Sequence, residues 1–340
     1  MTKNVFKFLL IIALIFTASN PLFAQRRIQI RLASLVPENT PWGAAINRMA
    51  AEWARITNNE VQVIVFHNAT AGNESEVLRK LRMNELQAAV FTSMGMNQVM
   101  PEVMALSYPF LIRNDAELDE VMRRLKPDLD SRIQQNGFVT LAWARAGWIK
   151  FFSKTPLNTP SDLRRVKLAF DASDEQMLQA FRIMGYQMIP SSLSQSLSDL
   201  NSGRVDALYQ SPVYAASSQI FGIAKYMTNI NIAPFMGGVL MNETAWRRIP
   251  ERYRPQLLEI CKRMEREIES SILNLEAEAV STMVRYGLQI NELNSSQVQE
   301  WYDDTARFEA RLTGTNPPVF NRDYYNRINS IVTEFRRGQR

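Results

Sequence analysis

From Ile28 onward the chain alternates short β-rich runs with apolar residues at helical spacing, and this alternation is what most narrows the folds open to it. Ile28 to Leu35 is strand-like, Pro37 to Pro41 breaks it, and Ala45, Ile46, Met49, Ala50 and Trp53 then recur at three- and four-residue intervals. The unit repeats: Val61 to Phe66 is strand text, Asn68 to Gly72 a turn, and Val77, Leu78 and Leu81 a helical face leading to a third strand, Gln87 to Phe91. Alternation of this kind predicts a mostly parallel sheet covered by helices on both faces, an α/β fold.

The same text resumes after a buried-strand run, Phe138 to Trp143. Thr159 can cap a helix whose first position is Pro160, where a missing N–H costs nothing. Strands are expected at Val166 to Phe170, Gln187 to Ile189 and Val205 to Tyr209. Between them lie a helix carrying Met177, Leu178, Phe181 and Met184, stopped by Gly185, and a helix from about Leu193 to Gly203. Met227 to Ile232 and Met236 to Met241 read as returning strands, with Asn242 capping the helix that enters Trp246.

From Pro255 to Arg285 the positions Leu258, Cys261, Met264, Ile268, Ile272, Leu275 and Ala279 keep three-or-four spacing. Such a helix reaches roughly 45 Å at 1.5 Å per residue, long enough to brace two lobes. Gly287 can stop it, and two more amphipathic helices follow from about Ser296 and Arg322.

The N-terminus has the plan of an export signal. Lys3 and Lys7 form a basic region, Phe8 to Thr17 an apolar core, and Leu22 to Ala24 a cleavage site, so residues 1–24 are expected to be removed. The apolar core falls short of the ~20 residues a membrane span needs, although an uncleaved anchor is the alternative for this segment. The expected location is the periplasm. One cysteine, Cys261, leaves no internal disulfide, so stability must come from packing. The formal charge is +5, and the Arg pairs are scattered among acidic residues, so no nucleic-acid partner is expected.

Catalysis has little to work with. The single histidine, His67, would have to serve any Ser-His-Asp or Cys-His relay, and no nucleophile elbow or phosphate-cradling loop is present. His67 fits a hydrogen-bonded structural role and Cys261 a small core residue, one imidazole and one thiol do not make a transition-metal site, and the acidic run Asp115 to Glu120 has no calcium-loop glycine. No enzyme activity, cofactor or metal is expected.

Three runs carry a resemblance: Gly147 to Pro156, Thr159-Pro-Ser-Asp-Leu-Arg-Arg-Val-Lys-Leu-Ala-Phe170, and Gly203-Arg-Val-Asp-Ala207 followed by Tyr209-Gln-Ser-Pro212. In order and spacing this framework resembles the extracytoplasmic solute receptors of TRAP transporters, the DctP-like binding proteins. The resemblance runs from the opening strand to about Arg285. It implies a two-lobe, type II-like periplasmic binding protein fold with a long helix spanning both lobes. The corresponding boundaries are residues 25–146 plus 233–255 for the first lobe, 147–232 for the second, and 256–340 for the bridging and C-terminal helices.

Carried over position by position, the family's pocket falls on Ala33, Ser34, Asn73, Phe91, Thr92, Ser93, Trp148, Ile149, Ala169, Phe170, Leu193, Tyr209 and Gln210. The arginine that pairs with an organic acid's carboxylate in this family is replaced by Ala169, and a second arginine of some relatives by Ile149. A guanidinium offers a carboxylate two parallel charge-assisted hydrogen bonds, and an aliphatic side chain offers none. The resemblance therefore implies a receptor for an uncharged or apolar small molecule. It also implies TRAP membrane subunits as partners and allows a periplasmic TPR-repeat helper. Two alternatives stay open: a conventional organic-acid receptor that uses Lys150, and a ligand-free interaction or signalling protein on the same scaffold.

Overall fold

The computed structural model describes residues 27–171, 174–192, 195–316 and 318–339; the expected export segment and Leu193 lie outside them. The chain begins β1 (Ile28–Ala33), α1 (Pro41–Ile56), β2 (Val61–Phe66), α2 (Glu74–Arg82), β3 (Ala88–Thr92) and α3 (Ser93–Asn97). Local chemistry sets the boundaries: the Thr40 hydroxyl accepts from Gly43 N–H with Pro41 in the first turn, and Asn73 and Glu76 form a reciprocal capping box. A 3₁₀ turn, Pro101–Ser107, leads into α4 (Asp115–Gln135) and the long β4 (Phe138–Ser153).

The second βα series is α5 (Pro160–Arg164), β5 (Lys167–Phe170), α6 (Glu175–Ile183), β6 (Gln187–Pro190), α7 (Ser196–Ser202), β7 (Ala207–Gln210) and α8 (Pro212–Ser217). The chain returns through β8 (Tyr226–Thr228), β9 (Ala233–Asn242) and α9 (Glu243–Arg248) into α10 (Arg254–Arg285). It ends with β10 (Gln289–Asn291), α11 (Ser295–Ala306), α12 (Glu309–Gly314) and α13 (Arg322–Gly338).

Among the described residues ten strands make one sheet, with a main path β2-β1-β3-β9-β4-β7-β5-β6, β8 beside β4 and β10 beside β8. The outer pairs β1–β2, β1–β3, β5–β6 and β5–β7 are parallel, as expected. The centre is not: β3–β9, β9–β4 and β4–β7 are antiparallel, so the sheet is mixed. The reason is β4, which runs sixteen residues where the sequence suggested a strand ending at Trp143. Gly147, expected to open the second lobe, sits at φ +96° inside the strand, in a register shift between Arg145 and Trp148 opposite β9. Here glycine is required, since a Cβ would lie 2.5 Å from the Glu276 carboxyl group of α10. That carboxylate accepts the Trp148 N–H at 2.9 Å and so holds the bulge in place.

Three clusters fill the interior. One lies between β1–β3 and helices α1 and α10, and includes Trp53, Leu257, Met264 and Cys261. The Cys261 thiol is fully buried, and burial pushes it up to about 12. A second cluster, around Phe152, Ala169 and Leu208, receives Met283 from the other end of α10, so one helix packs into both.

In the largest cluster, fully buried Trp301 of α11 sits 5.5 Å from the Phe151 ring and 5.7 Å from Phe110, and donates its indole N–H to Asn158 O at 3.0 Å. Nearby Asp304, almost wholly buried, is met by Arg164 at 2.6 Å, Arg307 at 2.5 Å and the Tyr186 hydroxyl at 3.2 Å. His67 lies with its ring nitrogens 3.3 Å from Val36 O and 3.0 Å from the Asn47 side chain, a structural setting. In the acidic run, Asp115 and Asp119 pair with Arg145, while Glu117 pairs with Arg336.

Candidate functional site

A cavity of about 120 Å³ opens where strand ends from both halves of the sheet converge. Ser93 enters it at the start of α3, directly after β3; Met104 and Ser107 come from the 3₁₀ turn; Ile149 follows the bulge in β4. From the other side come Phe170 and Asp171 at the end of β5, Asp174 and Met177 at the start of α6, and Tyr209 and Gln210 at the end of β7. Phe235 with Pro234 closes the floor from β9. Carboxyl ends of strands leave their last side chains and the following helix N-termini free to meet a ligand.

The walls are mainly apolar. Phe170 stacks on Tyr209 with ring centroids 5.3 Å apart, and Phe181 meets Tyr209 edge-on at 5.1 Å. No Lys, Arg or His is among the described lining residues, whereas two carboxylates are, Asp171 and Asp174. Asp174 caps α6 by accepting the Met177 N–H at 3.2 Å. Burial, reinforced by the charge of Asp171 and opposed by the Met177 N–H, pushes its carboxyl up to about 6. Burial and the charge of Asp174 likewise raise the Tyr209 phenol.

The raised carboxyl has a consequence for stability. An acid with a higher pKa folded than unfolded binds more protons in the folded state, so its contribution is complete at low pH and is lost as pH rises through about 6. Asp174→Asn keeps the cap oxygen and removes the charge. It is expected to stabilise the protein by on the order of 1–2 kcal/mol at pH 7 and to flatten the stability profile between pH 4 and 6. Urea titrations at pH 4.5 and 7 measure both; an unchanged pH slope would show that Asp174 is not held in this state.

Of the residues expected at the site, Ser93, Ile149, Phe170, Tyr209 and Gln210 line the cavity. Ala33 and Ser34 flank a crevice beside Gly72 and Glu74 that encloses no water-sized space. Asn73 is spent on capping α2, and Thr92 on Glu74, whose carboxylate takes the Thr92 N–H at 2.6 Å and hydroxyl at 2.9 Å. Thr92 and Phe91 instead line a separate apolar chamber.

Trp148 is buried away from the cavity and donates its indole N–H to Asp115 at 3.0 Å. Ala169 faces the cluster of Phe152 and Leu208, on the other side of β5 from Phe170, because alternate strand residues point to opposite faces. Ala169 is thus not among the residues that line the cavity. Sequence reasoning missed Met94, Met104, Ser107, Asp171, Asp174, Met177 and the β9 residues Ala233 to Phe235. The helix-cap position of Asp174 was the one available signal.

The profile of the DctP family, bacterial extracellular solute-binding protein family 7, matches residues 32–311. A solute-binding protein of Chromohalobacter salexigens is 21% identical over 310 residues, 89% of this chain and 87% of its own length. The C4-dicarboxylate-binding protein DctB of Bacillus subtilis is 22% identical over 281 residues, 82% of this chain and 80% of its own.

Among solved structures, a TRAP periplasmic solute-binding protein from C. salexigens with bound D-glucuronate superposes with a TM-score of 0.79 at 18% identity, covering 89% of this chain and 99% of its own. One from Sulfurospirillum deleyianum with bound succinate gives 0.76 at 21% identity, covering 89% and 98%. These two-lobe structures share the fold described above, and among the described residues no helix is long and apolar enough to cross a membrane. With the family profile running from β1 through both βα series and all of α10 and α11, the chain belongs to family 7 of the bacterial extracellular solute-binding proteins.

Proposed function

We propose that this chain is the periplasmic receptor of a TRAP-type secondary transporter and that its ligand is a small uncharged molecule with an apolar body. The receptor closes on that molecule by a hinge between the lobes 25–146 plus 233–255 and 147–232, and passes it unaltered to the membrane subunits. One observation carries the ligand class: the cavity is walled by Ile149, Phe170, Tyr209, Phe235 and methionines, with two carboxylates and no cation among its described lining. A carboxylate there would meet like charge in a low-dielectric site, which costs several kcal/mol.

Lys150 supports the same reading. Its ammonium is held by Asn231 at 3.0 Å and Asn229 at 3.4 Å, and it is not among the lining residues. Burial lowers its pKa, with Glu276 and Glu292 acting in the opposite direction. The solved structures with bound D-glucuronate and succinate share the fold, and this chain's own cavity lining is what supports a different ligand class for it.

Thermal unfolding with D-glucuronate, succinate and L-malate at millimolar concentration is expected to leave Tm unchanged. A ligand at one hundred times its Kd adds about 2.7 kcal/mol of stability, so a clear rise with any of the three would overturn the assignment. Mass spectrometry of what the denatured protein releases identifies the natural ligand, and a neutral compound in stoichiometric amount is the expected result.

A further inference from the structure

Phe235 has a cavity on each side. Beyond it, away from Asp171 and Asp174, lies a second chamber of about 150 Å³ walled by Leu35, Trp42, Ile46, Val90, Val239 and Ile268. Its polar side-chain groups among the described lining are three: Thr92 and Arg145, which are engaged elsewhere, and the Trp42 indole N–H, which is buried without a hydrogen-bond partner among the described residues. Thr92 is bound to Glu74, and the Arg145 guanidinium is paired with Asp115 at 3.2 Å, with Glu269 at 3.1 Å and with Asp119.

The two spaces are neighbours along the chain as well as in space. Thr92 lines one and Ser93 the other; Phe235 and Met236 follow Pro234 from the first into the second. A ligand confined to the first cavity would leave this apolar wall facing water, whereas a hydrocarbon segment reaching past Phe235 would cover it.

We infer that the chamber is a chain-binding subsite and that the ligand is a neutral amphiphile: a hydroxyl- or amide-bearing head against Gln210 and Asp174, and an alkyl chain running past Phe235 between Trp42 and Val239. This rests on the receptor function proposed above and adds its ligand class. The head supplies hydrogen-bond donors that the carboxylate accepts, and it brings no negative charge into a space already carrying two. The chain needs no polar partner, and apart from the Trp42 indole N–H the chamber presents an apolar surface to it.

Straight-chain primary alcohols from butanol to dodecanol test the inference directly on the full protein, by calorimetry or quenching of tryptophan fluorescence. Each added methylene is expected to tighten binding about fourfold until the chamber is full, the value for burying one CH₂. In crystals with a terminally brominated alcohol, the bromine peak should fall among Trp42, Ile46 and Val239. Ala144→Phe, on the chamber wall, should weaken the longer alcohols at least tenfold while the protein still unfolds cooperatively.

Affinity independent of chain length, a bromine confined to the first cavity, or no binding of any alcohol would each overturn the chamber assignment. The released natural ligand separates this from the receptor proposal. A neutral compound without a hydrocarbon chain would overturn the chamber and leave the receptor proposal, and a short-chain organic acid would overturn the chamber together with the neutral-ligand class proposed for the receptor.

Discussion

Gly147→Val is expected to lower stability by at least about 3 kcal/mol, among the largest losses available to a single substitution in this chain. A β-branched residue cannot comfortably adopt φ +96°, and its Cβ would meet the Glu276 carboxyl at 2.5 Å. Moving Glu276 aside leaves the Trp148 N–H without its acceptor, within a strand pair that joins the two halves of the sheet. Burial already raises the Glu276 carboxyl, against the pull of that N–H and of Lys150. Urea unfolding of Gly147→Val beside Gly147→Ala measures the effect; a valine loss within about 1 kcal/mol of wild type would mean the bulge is not constrained as described.

Trp301→Ala should cost about 3–5 kcal/mol, the range for emptying a fully buried large aromatic site. The indole meets rings from two separate segments, Phe110 after the 3₁₀ turn and Phe151 on β4, and Phe151 in turn packs on Tyr209 beside the cavity. Trp301→Phe keeps a ring but leaves Asn158 O without the indole donor, and should cost less, about 1–2 kcal/mol. Chemical denaturation of both variants orders them. Equal losses would show that the hydrogen bond, not the ring, is what the site requires.

Elements with local signals were legible in the sequence. Val61–Phe66 appears with the expected bounds, Asn242 and the Thr159–Pro160 pair cap the helices they were expected to cap, and the long stripe after Pro255 is one helix, Arg254–Arg285. Strand direction was not legible. Alternation tells how a residue faces the sheet but says nothing of which neighbour pairs with it, and the antiparallel centre is set by long-range pairing of β9 with β3 and β4. The continuation of β4 past Trp143 was not legible either, because a glycine such as Gly147 is compatible with a bulge inside a strand as well as with its end.

At the site, position along a strand carried over better than orientation. Phe170, Tyr209 and Gln210 stand where strand ends were expected to meet a ligand, yet Ala169, one residue away, faces the opposite cluster. The two carboxylates escaped notice because Asp174 looks like an ordinary helix cap and Asp171 like a loop residue. What makes them part of a cavity is the approach of β9 and the 3₁₀ turn, which no local pattern encodes.

The solitary thiol gives the molecule an internal reporter. Cys261 is sealed between α1 and α10 with no exposed surface, and its proton is held firmly at neutral pH. A maleimide can reach it only when the helices part, so its labelling rate counts openings of the first half of the sheet and ignores events at the ligand cavity. Dyes installed on engineered surface cysteines would therefore attach where intended, with the native sulfur silent until the fold itself gives way.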